Sequence, residues 1–140
     1  MEQLDNIYND IINSTKYIKN IDYNFLSNNL LQRIINYNYG VLFPQIPIDL
    51  RNEELSLQAV KLNGYNLFYV NDIYKTDELC LIAFLNNKLC IKAIPTQFRT
   101  VKIYKEYLSE YKENHIENLS DFINPFFINN FKLDYVKCIL

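Results

Sequence analysis

Asn63-Gly64-Tyr65-Asn66-Leu67-Phe68-Tyr69-Val70-Asn71-Asp72-Ile73-Tyr74-Lys75-Thr76 is the stretch that decides the fold, because the chain repeats its pattern on either side. Moved back 24 positions it becomes Tyr39-Gly40-Val41-Leu42-Phe43 through Leu50-Arg51, and moved forward 24 it becomes Asn87-Lys88-Leu89-Cys90-Ile91 through Phe98-Arg99. Matched positions keep their chemistry. Ile46, Val70 and Ile94 form one apolar column, Phe43, Leu67 and Ile91 a second, and Leu50, Tyr74 and Phe98 a third. Arg51, Lys75 and Arg99 form a cationic column, and Asn52, Thr76 and Thr100 a column of residues whose side-chain oxygen can cap a helix.

After each cap comes an amphipathic helical stripe: Leu55, Ala59 and Leu62, then Leu79 and Ala83, then Ile103, Tyr107 and Tyr111. Glu53, Glu54, Asp77 and Glu78 fall in the first turn, where the helix dipole favours anions, whereas Val101 and Lys102 replace the acids in the third unit. The only glycines, Gly40 and Gly64, stand where the longer helix should stop, so each is expected to be a left-handed C-terminal residue. Lys88 at the same place in the next unit predicts a turn that closes differently. Pro47 and Pro95 share a column and should begin or interrupt a short helical turn.

Each unit is thus a helix of about 11 residues, a tight turn and a shorter helical piece. One unit cannot bury its apolar stripe alone, and stacking neighbours closes a continuous core. The expected fold is all-α: a short, right-handed-type solenoid of tandem helix-turn-helix units of about 24 residues in a single domain spanning 1–140. Residues 1–38, with Ile21, Phe25, Leu26, Leu31 and Ile35, read as a degenerate first unit, 39–100 as the core repeats, and 101–140 as a degenerate capping unit.

Composition agrees with this and narrows the function. The 140 residues are 49% hydrophobic and 21% charged, with 2 Gly and 4 Pro, a balance that suits a helical globule. A formal charge of −2 argues against general nucleic-acid binding. Three cysteines, Cys80, Cys90 and Cys138, without C-x-x-C spacing suit reduced thiols in a cytoplasm. The acidic start Met1-Glu2-Gln3-Leu4-Asp5 carries no secretory pattern, and no apolar run approaches membrane-spanning length.

The segment Leu57-Gln58-Ala59-Val60-Lys61-Leu62-Asn63-Gly64-Tyr65-Asn66-Leu67 resembles an uncharacterised helical-repeat family, a domain of unknown function abundant in giant viruses of amoebae and also found in bacteria. That family repeats A-V-K-x-N-G-x-x-L, then an apolar stretch and an acid-capped helix, matched here by Thr76-Asp77-Glu78-Leu79 through Ala83 and Asn87. The resemblance covers roughly residues 50 to 100 and implies a helical-repeat fold; it supplies no catalytic residues, none being established for the family.

The chemistry-bearing residues make no familiar catalytic set. His115 is the sole histidine, and His115-Ile116-Glu117 lacks the P-C-x-x-C that would complete a deaminase zinc site. Two glycines cannot form a phosphate-binding loop. Cys90, flanked by Lys88 and Lys92, is the one thiol whose pKa could be lowered, although small buried thiols usually only fill space. No metal or other cofactor is expected. Charge is patterned instead: Lys88, Lys92, Arg99, Lys102 and Lys105 occur without an acid, and Glu106, Glu110, Glu113 and Glu117 then follow on one helical face. Such a face is either a solvated helix side, with Lys102–Glu106 pairing across one turn, or a docking surface for a basic partner together with Tyr107 and Tyr111. Tyr65, Tyr69, Tyr74 and Tyr104 join these tyrosines as groove-lining or gap-filling rings.

The function expected is a non-catalytic module, viral or bacterial, that binds another protein and no membrane, in the cytoplasm (the host's if viral). Two other readings stand beside it. One is an immunity protein that neutralises a toxin, such as a basic nuclease, through the acidic face. The other is a small enzyme using Cys90 or His115.

Overall fold

A computed structural model describes residues 2–13, 17–100, 102, 103 and 106. The chain divides into two compact units, Met1–Ile94 and Pro95–Leu140. The described residues are helical and contain no strand. Among the described residues, four α-helices have both ends described: α1 Glu2–Ile12, α2 Asn28–Asn36, α3 Glu53–Leu62 and α4 Asp77–Asn86. Between them the chain returns in short 3-10 segments, among them Phe43–Gln45 and Ile48–Leu50 before α3, Gly64–Tyr69 and Asp72–Tyr74 before α4, and Lys88–Ala93 after it. In the first unit the helices neighbour one another in chain order, α1 on α2, α2 on α3 and α3 on α4. Gly64–Tyr69 lies against α3, α4, Phe43–Gln45 and Lys88–Ala93.

The helices start where the capping residues stand. The Asn52 side chain accepts from Leu55 N–H at 2.9 Å, and the Thr76 hydroxyl accepts from Leu79 N–H at 3.1 Å. Ser27 does the same for α2, accepting from Leu30 N–H at 3.3 Å, 25 residues before Asn52. The short pieces start as expected too. Pro47 and Pro95 take φ −53° and −56° ahead of Ile48–Leu50 and Thr96–Phe98. Asn71, between them in the column, has φ −62° and accepts from Ile73 N–H.

The helix ends correct one expectation. Gly40 has a left-handed φ of +76° but ends the 3-10 segment Tyr37–Gly40, α2 itself stopping at Asn36 with Tyr37 in extended backbone; Gly64 is not left-handed, and α3 is closed by Asn63 in extended backbone at φ −152°. Asn63 N–H donates to Ala59 O, and its side chain accepts from Tyr65 N–H, so one asparagine ends the helix and opens the next 3-10 segment. Asn87 repeats this at φ −149°, donating to Ala83 O and accepting from Leu89 N–H. The turn at Lys88 therefore closes as the one at Gly64 does, and the expectation of a different closure was wrong. Glycine is needed at 64 for space: a Cβ there would collide with the Ala83 carbonyl of α4 and come within 3.0 Å of Asn87 N.

Residues at matched positions share their burial. Leu30, Leu55, Leu79 and Ile103 are buried, as are Ile35, Val60 and Phe84, and Ile18, Phe43, Leu67 and Ile91. Ile21, Ile46, Val70 and Ile94 complete the set. Leu31, Ser56 and Cys80 occupy another buried column, in which the Ser56 hydroxyl finds no hydrogen-bond partner. An orphaned buried hydroxyl is destabilising. Ser56→Ala should raise the free energy of unfolding by about 1 kcal/mol, read from the denaturant midpoint.

Arg51 gives the cationic column a structural role. Its Nε donates to Ile46 O at 2.7 Å, one terminal nitrogen to Pro44 O at 2.9 Å and the other to Tyr69 O at 2.7 Å. The guanidinium also lies 5.5 Å from the Phe43 ring centroid. Its planar fork ties the segment before α3 to the segment after it. Burial lowers its pKa below the ordinary arginine value, against an opposing pull from Tyr69. Lys75, the next in the column, bonds Asp72 at 2.8 Å. Arg51→Ala removes three charge-assisted bonds and should destabilise by about 2–3 kcal/mol in thermal or denaturant unfolding. Arg51→Lys should recover only part of that, because an ammonium cannot span three carbonyls in one plane.

On the outer side of α2 and α3 runs a polar ladder. The Asn28 amide donates to Glu54, Gln32 donates to the other Glu54 oxygen at 2.7 Å, and Asn52 donates to Asn28. Gln58 donates to Gln32 O and to the Asn36 side chain at 2.8 Å.

Candidate functional site

The acidic face expected from the sequence falls largely outside what the structure describes. Glu106 is helical and half-buried, and Lys102 and Ile103 are helical. Glu110, Glu113, Glu117, Tyr107, Tyr111, Tyr104, Lys105, His115 and Cys138 lie outside the described residues.

The two described cysteines are free and buried. Burial raises the Cys80 thiol from 9.0 to about 11, with Lys75 pulling the other way. Burial raises Cys90 to about 12, with Cys80 adding to the rise. The expectation that Lys88 and Lys92 could lower the Cys90 pKa is thus overturned: the thiol faces apolar packing, and desolvation dominates. Cys80 and Cys90 thus stay protonated at neutral pH and pack as small apolar side chains do. The sign for stability follows. The unfolded chain loses these protons near pH 9.0, whereas the folded chain keeps them to about 11 and 12. Their contribution is therefore intact below pH 9 and declines as pH rises through that window, by roughly 1.4 kcal/mol per pH unit for each thiol ionised only when unfolded. A Cys80→Ala/Cys90→Ala chain should show a flatter stability profile than the wild type above pH 9.

Among the described residues no group of three or more His, Cys, Asp or Glu is placed to hold a metal ion, and no helix is long and apolar enough to cross a membrane.

The surface carries the more informative arrangement. Val41, Tyr65 and Leu89, at 24-residue steps, each directly follow Gly40, Gly64 or Lys88 and are 52%, 43% and 69% exposed. Tyr65 stacks on Phe68 at 4.7 Å between ring centroids and lies 6.5 Å from Tyr69, and both partners are also exposed. The backbone beneath is fixed by carboxamides. Asn66, buried, donates to Gly40 O at 3.1 Å and to Ala59 O at 3.0 Å. Asn86 donates to Lys61 O and accepts from Gly64 N–H at 2.7 Å. Two of the C-terminal carbonyls of α3, those of Ala59 and Lys61, are thereby occupied. Beside Val41, Asn38 and Tyr39 adopt left-handed backbone, φ +47° and +57°, leaving the Tyr39 ring exposed.

Sequence reasoning picked out Tyr65 and Tyr69 but missed Val41 and Leu89 as surface residues, because both belong to the apolar class that the repeat pattern assigns to packing. The signal that finds them is position: all three directly follow the turn residue. It also missed Asn66, whose column neighbours are Leu42 and Cys90, so no shared residue type marks it.

No curated protein and no solved structure matches the chain. The stretch from the α3 cap to Arg99 does have a known counterpart: a domain of unknown function, DUF4116, is found at residues 52–99.

Proposed function

We propose that this chain is a non-catalytic helical-repeat module, a short solenoid of units of about 24 residues, that binds another protein. The observation that carries this reading is the exposed apolar column Val41, Tyr65 and Leu89. Packing accounts for the buried apolar columns, and Leu50, Tyr74 and Phe98 are half-buried. It does not account for one that recurs at the same place in each unit and faces water. Repeat proteins use such evenly stepped surfaces to contact extended partners, and aromatic and aliphatic side chains on them supply contact area. The chain works in a cytoplasm, that of the host if its source is viral, consistent with its reduced, buried thiols.

Affinity capture tests this. The full chain and a Val41→Ser/Tyr65→Ser/Leu89→Ser chain are immobilised side by side and exposed to amoebal and bacterial lysates. A protein retained stoichiometrically by the first and not by the second is the expected outcome. Equal retention by both, or none by either, sinks the reading.

A further inference from the structure

The 3-10 segments that follow α3 and α4, Gly64–Tyr69 and Lys88–Ala93, differ in charge from the helix starts. From Leu55 to Asn71 the only charged residue is Lys61, and from Leu79 to Pro95 the only ones are Lys88 and Lys92. Lys61 and Lys92 are exposed. The acids cluster elsewhere: Asp49, Glu53, Glu54, Asp72, Asp77 and Glu78 all stand at the starts of α3 and α4 or in the short turns before them. Tyr65 and Leu89 are thus flanked in sequence by lysines, with no carboxylate nearer than Asp72 and Glu78. At the C-terminal end of α3, Ala59 O accepts from Asn63 N–H and the Asn66 side chain, and Lys61 O accepts from Asn86.

We infer that the face formed by Val41, Tyr65, Phe68 and Leu89 with Lys61 and Lys92 docks an acidic polypeptide segment whose carboxylates are interleaved with apolar side chains. The inference rests on the binding role proposed above and adds the chemistry of the partner. The apolar side chains meet the column, and the carboxylates meet the lysines that flank it. A polyanion such as RNA fits less well. Two exposed lysines neutralise few phosphates, the chain is net negative, and Val41 and Leu89 offer no ring for a base to stack on. An anionic membrane meets the same shortage of cations.

The test is a selection of displayed random peptides on the full chain, followed by fluorescence polarisation of the enriched sequences. The expected peptides carry Asp or Glu interleaved with Leu, Phe, Ile or Tyr and bind less tightly as salt rises. Tyr65→Ser/Leu89→Ser should weaken them by at least about tenfold, because two exposed contact residues are lost. Lys92→Glu should weaken them with the column intact. Circular dichroism establishes that the variants fold, and Val41→Ser with Lys61→Glu serves if the double variant does not. Enriched peptides without acids, or peptides bound equally by the variants, overturn the inference. So does column-dependent binding of poly(U) or phosphatidylserine vesicles in place of peptide. A lysate partner that depends on the column while selected peptides prove neutral or basic would leave the binding role standing and remove only the acidic partner. Loss of both results removes both.

Discussion

Phe84→Ala is expected to lower the stability of the chain by about 3–5 kcal/mol, the range for removing a fully enclosed aromatic ring. Phe84 is fully buried on α4, at the position that Ile35 and Val60 hold on α2 and α3. The ring is larger than either counterpart, so truncation there opens a larger void than at the other two sites. The neighbouring Cys80 and Ala83 are short and buried, which limits how far the site can collapse. Denaturant unfolding followed by far-ultraviolet circular dichroism gives the value. A loss below about 0.5 kcal/mol, the size usual for surface changes, would mean that the α4 stripe is wrongly placed.

The second large effect comes from adding atoms. Gly64→Ala places a methyl group against the Ala83 carbonyl and within 3.0 Å of Asn87 N, and both of these are backbone. No side chain can swing aside, so the end of α4 or the turn itself has to move. That movement strains the 2.7 Å bond from Gly64 N–H to Asn86 and the bond from Asn87 N–H to Ala83 O. The expected loss is about 3 kcal/mol, the upper part of the range for overpacking. Lys88→Ala, at the matched position, should change stability by less than about 0.5 kcal/mol if its turn needs no such space. Unfolding both variants in parallel separates close approach from backbone conformation. A requirement for left-handed backbone at 64 would make Gly64→Asn far milder than Gly64→Ala, whereas a requirement for space makes it at least as damaging.

These two positions also mark how much of the fold could be read from sequence. Helix starts were legible because capping is local chemistry: Asn52 and Thr76 cap as their side chains require. The buried columns were legible because periodic apolar residues have few other uses. Gly64 was located correctly but for the wrong cause, since its neighbour Ala83 is 19 residues away and close approach between elements leaves no local trace. The same reason hid the role of Arg51. Its partners are carbonyls, which every residue has, so no residue type in the sequence marks them. The Cys90 thiol misled because Lys88 and Lys92 are near in sequence, while its titration is governed by enclosure. Exposure of Val41 and Leu89 was illegible from residue type alone and depends on which side of the 3-10 segment faces inward.

The carboxamide and carboxylate ladder on α2 and α3 has a consequence for alignment. Its bonds are largely exposed, so each adds little to stability, water being a ready substitute. Yet Glu54 accepts from both Asn28 and Gln32, and Gln58 reaches both the Gln32 carbonyl and Asn36. Sliding one helix along the other by a single turn would break every one of these pairings at once, while the apolar stripes beneath would still find apolar neighbours. Grease tolerates slippage and this ladder does not. It works as a vernier, selecting one setting from several that the core alone would accept.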